Sequence, residues 1–235
     1  MQVPPSEMAP DGYTILIDGG PGSKVMEGLS AAGVSRVDAV FLTHPDADHL
    51  SGLLPVLNRY PVGTVYDSGM PASSTLYRDF LKLVDKKKIY YQIARKGQYL
   101  TFGQLEMEVL NPGDNLRTDE TNANSIVLMA SYQGLDILFP GDAEGDVLCT
   151  LDLNPVEVFK VPHHGSGDSY LKQVLDTIGP QEAIISVGAG NSYGHPAQQT
   201  LDALKAAGAR IHRTDRQGTV KVAFVDGVIE ISTEE

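Results

Sequence analysis

The 235-residue sequence has little cysteine, few basic residues and no long apolar run, and each shortage excludes a class of protein. Its single cysteine, Cys149, excludes an internal disulfide and a cysteine-rich zinc site, so a metal site would have to use histidines and carboxylates. With 18 basic and 30 acidic residues, a net charge of −12 gives no basic surface for nucleic acid or an anionic membrane. No stretch of about 18 apolar residues is present, and residues 1–5 lack the parts of a signal peptide. We therefore expect a soluble chain without membrane insertion.

Short apolar runs alternate with segments of helical spacing along most of the chain. In the first part, this alternation predicts strands over 13–18, 37–43, 62–66 and 89–94, with helices over 23–32, 50–60 and 74–87. Short β-like segments follow at 98–102, 105–110, 125–132 and 135–139. In the last part, we predict strands over 156–161, 183–187, 218–225 and 228–232, with helices over 145–151, 170–178 and 198–207.

Each half of this pattern combines a strand-and-helix portion with an antiparallel portion, and no linker or low-complexity tract interrupts the chain. We therefore predict an α/β fold in which two mixed β-sheets pack face to face with helices outside, an αββα sandwich. A single domain should span residues 1–235. Because such a sheet usually opens with a hairpin, we expect its first edge strand, near Gln2 and Val3, to be truncated.

Four potential metal ligands occur within the segment His44-Pro-Asp-Ala-Asp-His49. The segment lies between a predicted buried strand and a predicted helix, and strand ends are where open α/β sheets place their sites. In an extended loop, His44 and Asp46 would point to one side, while Asp48 and His49 turn to another as the helix starts. An acidic helix cap would explain an aspartate here, but not two histidines as well. The segment predicts a metal-dependent hydrolase with ligands for two metal ions.

Two later segments also follow apolar strands and would bring ligands from other directions. Gly141-Asp142 alone is an ordinary turn, but beside the first cluster its carboxylate could bridge two cations about 3.5–4 Å apart. His163 and His164 follow the strand at 156–161, and adjacent residues of an extended chain point in opposite directions. We expect one of them to be a ligand and the other to contact substrate or a ligand. The sequence does not choose between them.

The remaining histidines and the basic residues are weaker indications. The loop containing Asn191 and His195 is rich in groups that bind phosphate or donate protons, although a plain turn explains it nearly as well. His212 lies in an alternating strand and is predicted to be a surface histidine. Residues 86–88, all lysines, are the main basic concentration, and we interpret them as a solvated helix end.

Taken together, these segments resemble a known family. The motifs Asp18-Gly-Gly, His-x-Asp-x-Asp-His, Gly141-Asp142 and His163-His164-Gly-Ser are similar to those of the metallo-β-lactamase superfamily, whose fold is the αββα sandwich. More narrowly, the segments at 17–20, 43–52, 160–166 and 191–196 resemble the lactamase-like domain of the ComEC competence proteins. Those proteins are membrane channels for DNA uptake, and this domain is implicated in degrading the strand that is not imported. The resemblance implies a nuclease on the outer face of a bacterial membrane, with DNA and a channel domain of the same parent protein as partners.

The sequence departs from the commonest superfamily pattern at two places. Asp46 stands where the second histidine of the cluster His-x-His-x-Asp-His would be, and the isolated histidine usual before the bridging aspartate is absent. Asn122 or Asn124 would stand in as a weak ligand. Exchanging imidazole for carboxylate and amide shifts metal preference from zinc toward manganese or magnesium. We expect two divalent ions, manganese or zinc, with magnesium as a further candidate.

On this interpretation, each candidate residue has an expected role. One ion would be held by His44, Asp46 and Asp142, and the other by Asp142, His49, the catalytic Asp48 and one of the two later histidines. A water activated by the ions would be the nucleophile, and their charge would let an acidic chain handle DNA. The expected supporting roles are phosphate contact or leaving-group protonation by Lys160 and His195, orientation of a ligand histidine by Asp18, and substrate or indirect metal contacts by Ser166 and Asn191.

Two other functions are compatible with the same residues. A hydrolase of this fold could act on a small phosphoester instead of a polymer. Alternatively, the metal site could only stabilise a non-catalytic module that docks on a DNA channel.

Overall fold

The first large sheet contains five strands in the order β1-β2-β3-β4-β5. The computed structural model describes residues 6–8 and 12–234. The strands of this sheet are β1 (Ser6–Met8), β2 (Thr14–Ile17), β3 (Val37–Leu42), β4 (Val62–Asp67) and β5 (Tyr90–Ile93). β1 is antiparallel to β2, and the other neighbours are parallel. An antiparallel pair of strands therefore forms this edge of the sheet, while the truncation expected near Gln2 and Val3 falls outside the described residues.

The second large sheet has seven strands in the order β12-β11-β10-β9-β8-β7-β6. Its strands are β6 (Tyr99–Phe102), β7 (Leu105–Asn111), β8 (Val127–Tyr132), β9 (Leu135–Phe139), β10 (Val158–Lys160), β11 (Glu182–Ile185) and β12 (Arg210–Arg213). Strands β6 to β9 pair antiparallel, and β9 to β12 pair parallel. The sheet is mixed, as predicted.

Alternating side chains of the strands form the core. On β2, Ile15 and Ile17 pack with Met107 and Leu128 of the second sheet, whereas Leu16 between them packs against helices. The helices α1 (Lys24–Ala31), α3 (Leu53–Arg59) and α4 (Thr75–Lys87) cover the outer face of the first sheet. The helices α6 (Leu171–Ile178) and α7 (Gln198–Ala206) cover the outer face of the second. The αββα sandwich is confirmed. No helix in residues 6–8 and 12–234 is long and apolar enough to cross a bilayer.

Three details differ from the predicted elements. The helix expected over 50–60 is two helices, because α2 (Ala47–Leu50) begins inside the ligand cluster and ends before α3. The predicted helix over 145–151 is present as the shorter α5 (Gly145–Leu148), and a short helix that was not predicted, α8 (Thr214–Gln217), follows β12. The last two strands, β13 (Val220–Val225) and β14 (Val228–Thr233), pair with each other as a separate two-stranded sheet. Their strict alternation showed that they were strands, but it did not show which strands they pair with.

The carboxyl ends of the parallel strands bring the candidate residues to one edge of the sandwich. Asp18 follows β2, and the segment from His44 to His49 follows β3. Asp142 and the segment 163–164 follow β9 and β10 in the other sheet. Since the two sheets face each other, these four loops meet over the same end of the core.

Candidate metal centre

Two loops are locked together beneath the site by two glycines. The backbone nitrogen of Gly19 donates to His49 O at 2.7 Å, and that of Gly52 donates to Gly20 O at 2.9 Å. A Cβ on Gly52 would lie 2.0 Å from Gly19 O, and one on Gly19 would lie 2.3 Å from Leu53 N. Only glycine permits such a close approach of two backbones. The contact fixes the position of α2 relative to the end of β2.

Asp18 connects the two buried histidines of the cluster. Its carboxylate accepts hydrogen bonds from the Thr43 backbone nitrogen and hydroxyl, both at 2.8 Å, and from His49 Nδ1 at 2.7 Å. The Thr43 hydroxyl oxygen lies 3.0 Å from His44 Nδ1. Because the hydroxyl donates to Asp18, its oxygen accepts from His44. Both rings are therefore held by Nδ1, with Nε2 directed toward the site, as expected of a residue that orients ligands.

The first ligand group consists of His44, His49 and Asp142, all buried, whose candidate ligand atoms lie within 4.8 Å of one another. Asp142 Oδ2 is 3.2 Å from His49 Nε2 and 3.9 Å from His44 Nε2. His44 Nε2 and Asp142 Oδ1 are buried without a hydrogen-bond partner. Orphaned buried polar atoms are costly, and a cation would satisfy an imidazole lone pair and a carboxylate oxygen together. These residues fit a metal ion.

The second group consists of Asp48, His49 and His164. His164 Nε2 lies 3.3 Å from Asp48 Oδ2, 3.5 Å from Asp142 Oδ2 and 3.3 Å from His49 Nε2. Its other nitrogen, Nδ1, lies 3.0 Å from the backbone oxygen of Ser186 and donates to it, since a carbonyl only accepts. The two groups share His49, and Asp142 Oδ2 borders both. This arrangement can hold two neighbouring cations.

Geometry distinguishes the adjacent histidines. Both have left-handed backbone conformations, with φ of 43° at His163 and 55° at His164, so the segment turns sharply instead of running extended. His163 Nδ1 lies 2.8 Å from Glu144 Oε1, and Glu144 also accepts from the Ser166 hydroxyl. His163 Nε2 is 3.4 Å from Asn122 Nδ2 and 4.0 Å from Asp142 Oδ2. His164 thus lies among the candidate ligands, with His163 beside them.

Burial and charge shift the pKa values of the cluster strongly. Burial and the neighbouring His49 lower the pKa of His44 to about 4, so this ring is neutral and its Nε2 lone pair is available. Burial opposes protonation of His49, but Asp142 and Asp18 outweigh it and raise its pKa to about 10. A hydrogen bond from His164 lowers the pKa of Asp48 to about 2. Metal binding therefore has to displace a proton from His49.

Lys160 does not lie where the sequence suggested. Its Nζ is buried without a hydrogen-bond partner, and burial lowers its pKa against the opposing charges of Asp142, Asp18 and Asp48. A buried ammonium is not accessible to a phosphate that binds from solvent. The prediction of direct phosphate contact is therefore corrected, because the Lys160 amine is buried.

The residues considered as substitutes for missing histidines lie in different places. Asp46 is half exposed, and its Oδ2 is 3.8 Å from His44 Nε2, at the rim of the first group. Asn124 is buried, and its side chain bonds to Arg117 N, Arg117 O and Glu120 O at 2.7–2.8 Å. Its amide is occupied in shaping the preceding loop, so the prediction that Asn124 is a weak ligand is corrected. Asn122, beside His163, borders the site.

The loop at 188–197 is organised by Asn191. Its side chain donates to Gly188 O and His195 O and accepts from the backbone nitrogens of Tyr193 and His195. These bonds occupy the amide, so the prediction of substrate contact by Asn191 is corrected to a role in loop structure. The His195 ring lies 5.7 Å from that of His163, at the border of the site. Burial and then His163 lower the pKa of His195.

His212 is not a surface histidine, because its side chain is only 15% exposed and its Nε2 lies 2.8 Å from the buried carboxylate of Glu182. The lysines at 86–88 end α4 and are exposed, which agrees with a solvated helix end.

Four contributors to the site were missed by sequence reasoning, namely Thr43, Ser125, Glu144 and Ser186. Two of them, Thr43 and Ser186, immediately follow a strand, which was the available signal.

Comparison with known proteins identifies the family of this chain. A family model described as the metallo-beta-lactamase superfamily matches residues 7–189. The chain belongs to the metallo-β-lactamase superfamily. Members of this superfamily are mostly metal-dependent hydrolases and usually bind divalent metals.

Two relatives are competence proteins. ComE operon protein 3 of Bacillus subtilis (strain 168) is 29% identical over 85% of this chain and 26% of its own length. Competence protein ComA of Neisseria gonorrhoeae is 28% identical over 88% of this chain and 28% of its own. The chain thus spans about a quarter of the curated relatives it matches. Among solved structures, the metallo-beta-lactamase fold protein YhfI from Bacillus subtilis matches with a TM-score of 0.59 and 13% identity, over 86% of this chain and 84% of that one.

Proposed function

We propose that this superfamily member is a metal-dependent phosphodiesterase that cleaves DNA. The observation that carries the proposal is the pair of ligand groups meeting at His49 and Asp142, with His44 Nε2 and Asp142 Oδ1 buried and unpartnered. Paired cation sites are the arrangement that hydrolyses phosphodiesters. When bound, the cations would supply an activated water and offset phosphate charge, which would let a chain of net charge −12 accept DNA.

The surrounding residues have separate tasks in this proposal. His44, His49, His164, Asp48 and Asp142 would hold the cations, with Asp46 as a further oxygen ligand at the rim. The Asp18 and Thr43 hydrogen bonds would keep both Nε2 atoms aimed at them.

His163 is the candidate for protonating the leaving oxygen. Its hydrogen bond to Glu144 raises its pKa and would stabilise the protonated ring, and its Nε2 faces the site 4.0 Å from Asp142. His195, whose pKa is lowered, is less suited to that task at neutral pH.

The metal would be manganese or zinc, with magnesium as a further candidate. Carboxylates at Asp46, Asp48 and Asp142 favour harder cations than an all-histidine set does. The three histidines of the two groups keep zinc in competition.

The biological setting is also a proposal. We infer that the chain acts as the lactamase-like domain of a competence protein for DNA uptake, beside a channel domain on the extracytoplasmic face of the membrane. Support comes from the names of the relatives and from the fact that they are about four times as long as the matched segment.

The test uses chelator-stripped protein with single- and double-stranded DNA and with manganese, magnesium or zinc. Asp48→Asn keeps the shape of the side chain but removes a ligand charge, so we expect it to abolish cleavage. The matched control is Asp85→Asn, since Asp85 is 81% exposed and pairs only with Lys88 on α4. Hydrolysis of bis-p-nitrophenyl phosphate without DNA cleavage would favour a small phosphoester substrate. Metal binding without hydrolysis of either would favour the docking module.

A further inference from the structure

One exposed aromatic ring lies at the border of the site. Tyr193 is 81% exposed, more than any other large apolar or aromatic side chain in the described residues. Its ring stacks on that of His195, with centroids 5.9 Å apart and planes inclined by 14°. The His195 ring in turn contacts that of His163, 4.0 Å from Asp142. A short series of rings therefore leads from solvent to the ligand cluster.

Tyr193 is presented on an ordered loop. Asn191 accepts from the Tyr193 backbone nitrogen at 3.2 Å and from that of His195 at 3.0 Å. Its own amide donates to Gly188 O and His195 O. These bonds fix the backbone on both sides of the exposed ring. Little conformational entropy would be lost when a ligand packs on it.

The surroundings of the ring suit an anionic, aromatic ligand. In a chain with 30 acidic residues, the segment 188–197 contains none. The His195 ring lies nearly parallel to that of Tyr193 with centroids 5.9 Å apart, and an exposure of 81% leaves the Tyr193 ring accessible to a ligand. Flat π-systems are the ligands that stack on such a face, and nucleobases stack on exposed tyrosines whatever their sequence.

We propose that Tyr193 is a stacking platform for an unpaired nucleobase, which directs the site toward single-stranded nucleic acid. This inference rests on the proposed phosphodiesterase function and specifies its substrate. A base that is stacked and paired in a duplex does not offer a free face, so duplex must open before it can use the platform. The strand would then run from Tyr193 past His195 toward the cations.

The absence of tryptophan allows a direct binding assay. In Tyr193→Trp the platform residue is the only tryptophan, and stacking of a base quenches indole fluorescence. The probe is a mixed-sequence single-stranded DNA oligonucleotide, added with calcium so that binding is measured apart from turnover. We expect saturable quenching by the single strand and weaker quenching by the same sequence as a duplex. The control is Tyr99→Trp, because Tyr99 is also 73% exposed but lies on β6 with its hydroxyl bonded to Glu108.

Affinity measured by fluorescence anisotropy gives a second readout. Tyr193→Ala should bind the labelled single strand about 5- to 100-fold more weakly, whereas Tyr193→Phe keeps the ring and should keep the affinity. Equal quenching at Tyr99 and Tyr193, no quenching at Tyr193, or an unchanged affinity in Tyr193→Ala would overturn the platform. Whether the wild-type chain cleaves the same oligonucleotide is measured separately. If the chain cleaves the oligonucleotide but quenching is absent, only the platform is rejected. If both cleavage and quenching are absent, the proposed function is rejected as well.

Discussion

Replacing Asp18 by asparagine should weaken metal binding without unfolding the protein. Asp18 accepts three hydrogen bonds, from the backbone and hydroxyl of Thr43 and from His49 Nδ1. As an acceptor, the carboxylate keeps a proton on Nδ1 and so leaves Nε2 to face Asp142 and His164. The amide of asparagine can donate to Nδ1 instead. Before metal binds, the raised pKa of His49 leaves a proton on both ring nitrogens. In the variant, the proton that remains once the ring becomes neutral would sit on Nε2, the nitrogen that a cation needs.

The size of the effect follows from this rearrangement. Loss of the partner that orients a ligand histidine typically costs 10- to 100-fold in metal affinity, or about 1.4–2.7 kcal/mol. Asparagine retains an oxygen for the Thr43 backbone nitrogen and remains similar in volume, so the packing around β2 should survive. We therefore expect Asp18→Asn to lower the metal affinity more, in kcal/mol, than it lowers the free energy of unfolding.

The assay is calorimetric titration of the chelator-stripped protein with manganese and with zinc, beside urea unfolding of the same samples. Asp38→Asn is the matched control, because Asp38 also anchors a strand backbone, accepting from Thr14 N at 2.9 Å, but does not touch the cluster. Nitrogen-15 spectra of the chelator-stripped protein, recorded at a pH where the His49 ring is neutral, report its tautomer directly. A folded Asp18→Asn variant with wild-type metal affinity, or with its proton still on Nδ1, would refute the reasoning.

Two further predictions concern stability. Gly52→Ala puts a Cβ 2.0 Å from Gly19 O and should lower the free energy of unfolding, measured in urea, by about 1–3 kcal/mol or more. The control Gly113→Ala, which has open space around its Cβ, should leave it unchanged. Equal urea midpoints for the two variants would contradict the close contact. Burial raises the pKa of Glu182, but the hydrogen bonds from Arg210 and His212 outweigh it and lower the pKa below its usual 4.5. This carboxylate therefore stabilises the fold above pH 4.5, and the stabilisation is lost as the pH falls through the lowered pKa. Glu182→Gln should therefore melt below wild type at pH 7 and approach it at acidic pH, and a difference independent of pH would be evidence against the pairing.

The sequence predicted the layers of the fold because each strand carries a local signal. Period-two alternation and short apolar runs identify strands such as β2 and β3 whatever their partners. The sequence could not predict that β13 and β14 pair only with each other, since alternation is equally compatible with a strand added to a large sheet. The break between α2 and α3 was missed for a different reason. It depends on the contact of Gly52 with Gly19, which lie far apart in the chain.

Candidate ligands were predictable as a set, because histidines and aspartates clustered after strands. Their individual roles were not predictable, since they depend on side-chain direction. The choice of His164 depends on two left-handed residues that abolish the expected alternation at His163. Similarly, Asn124 lies next to the site in sequence, but its amide bonds to a loop. The buried pairing of His212 depends on the register of β12 against β11, which places it near Glu182.

His49 differs from Asp142 in the number of atoms it can offer. Its Nδ1 is committed to Asp18, so a single nitrogen serves both ligand groups and can coordinate only one cation. Asp142 has two carboxylate oxygens and can serve both. The first cation to load therefore decides which group keeps the histidine, and the second must bind to a poorer set. Titration with metal should therefore show two binding steps of unequal affinity. At low metal concentration one cation should bind per chain, because only one can use the lone pair of His49 Nε2.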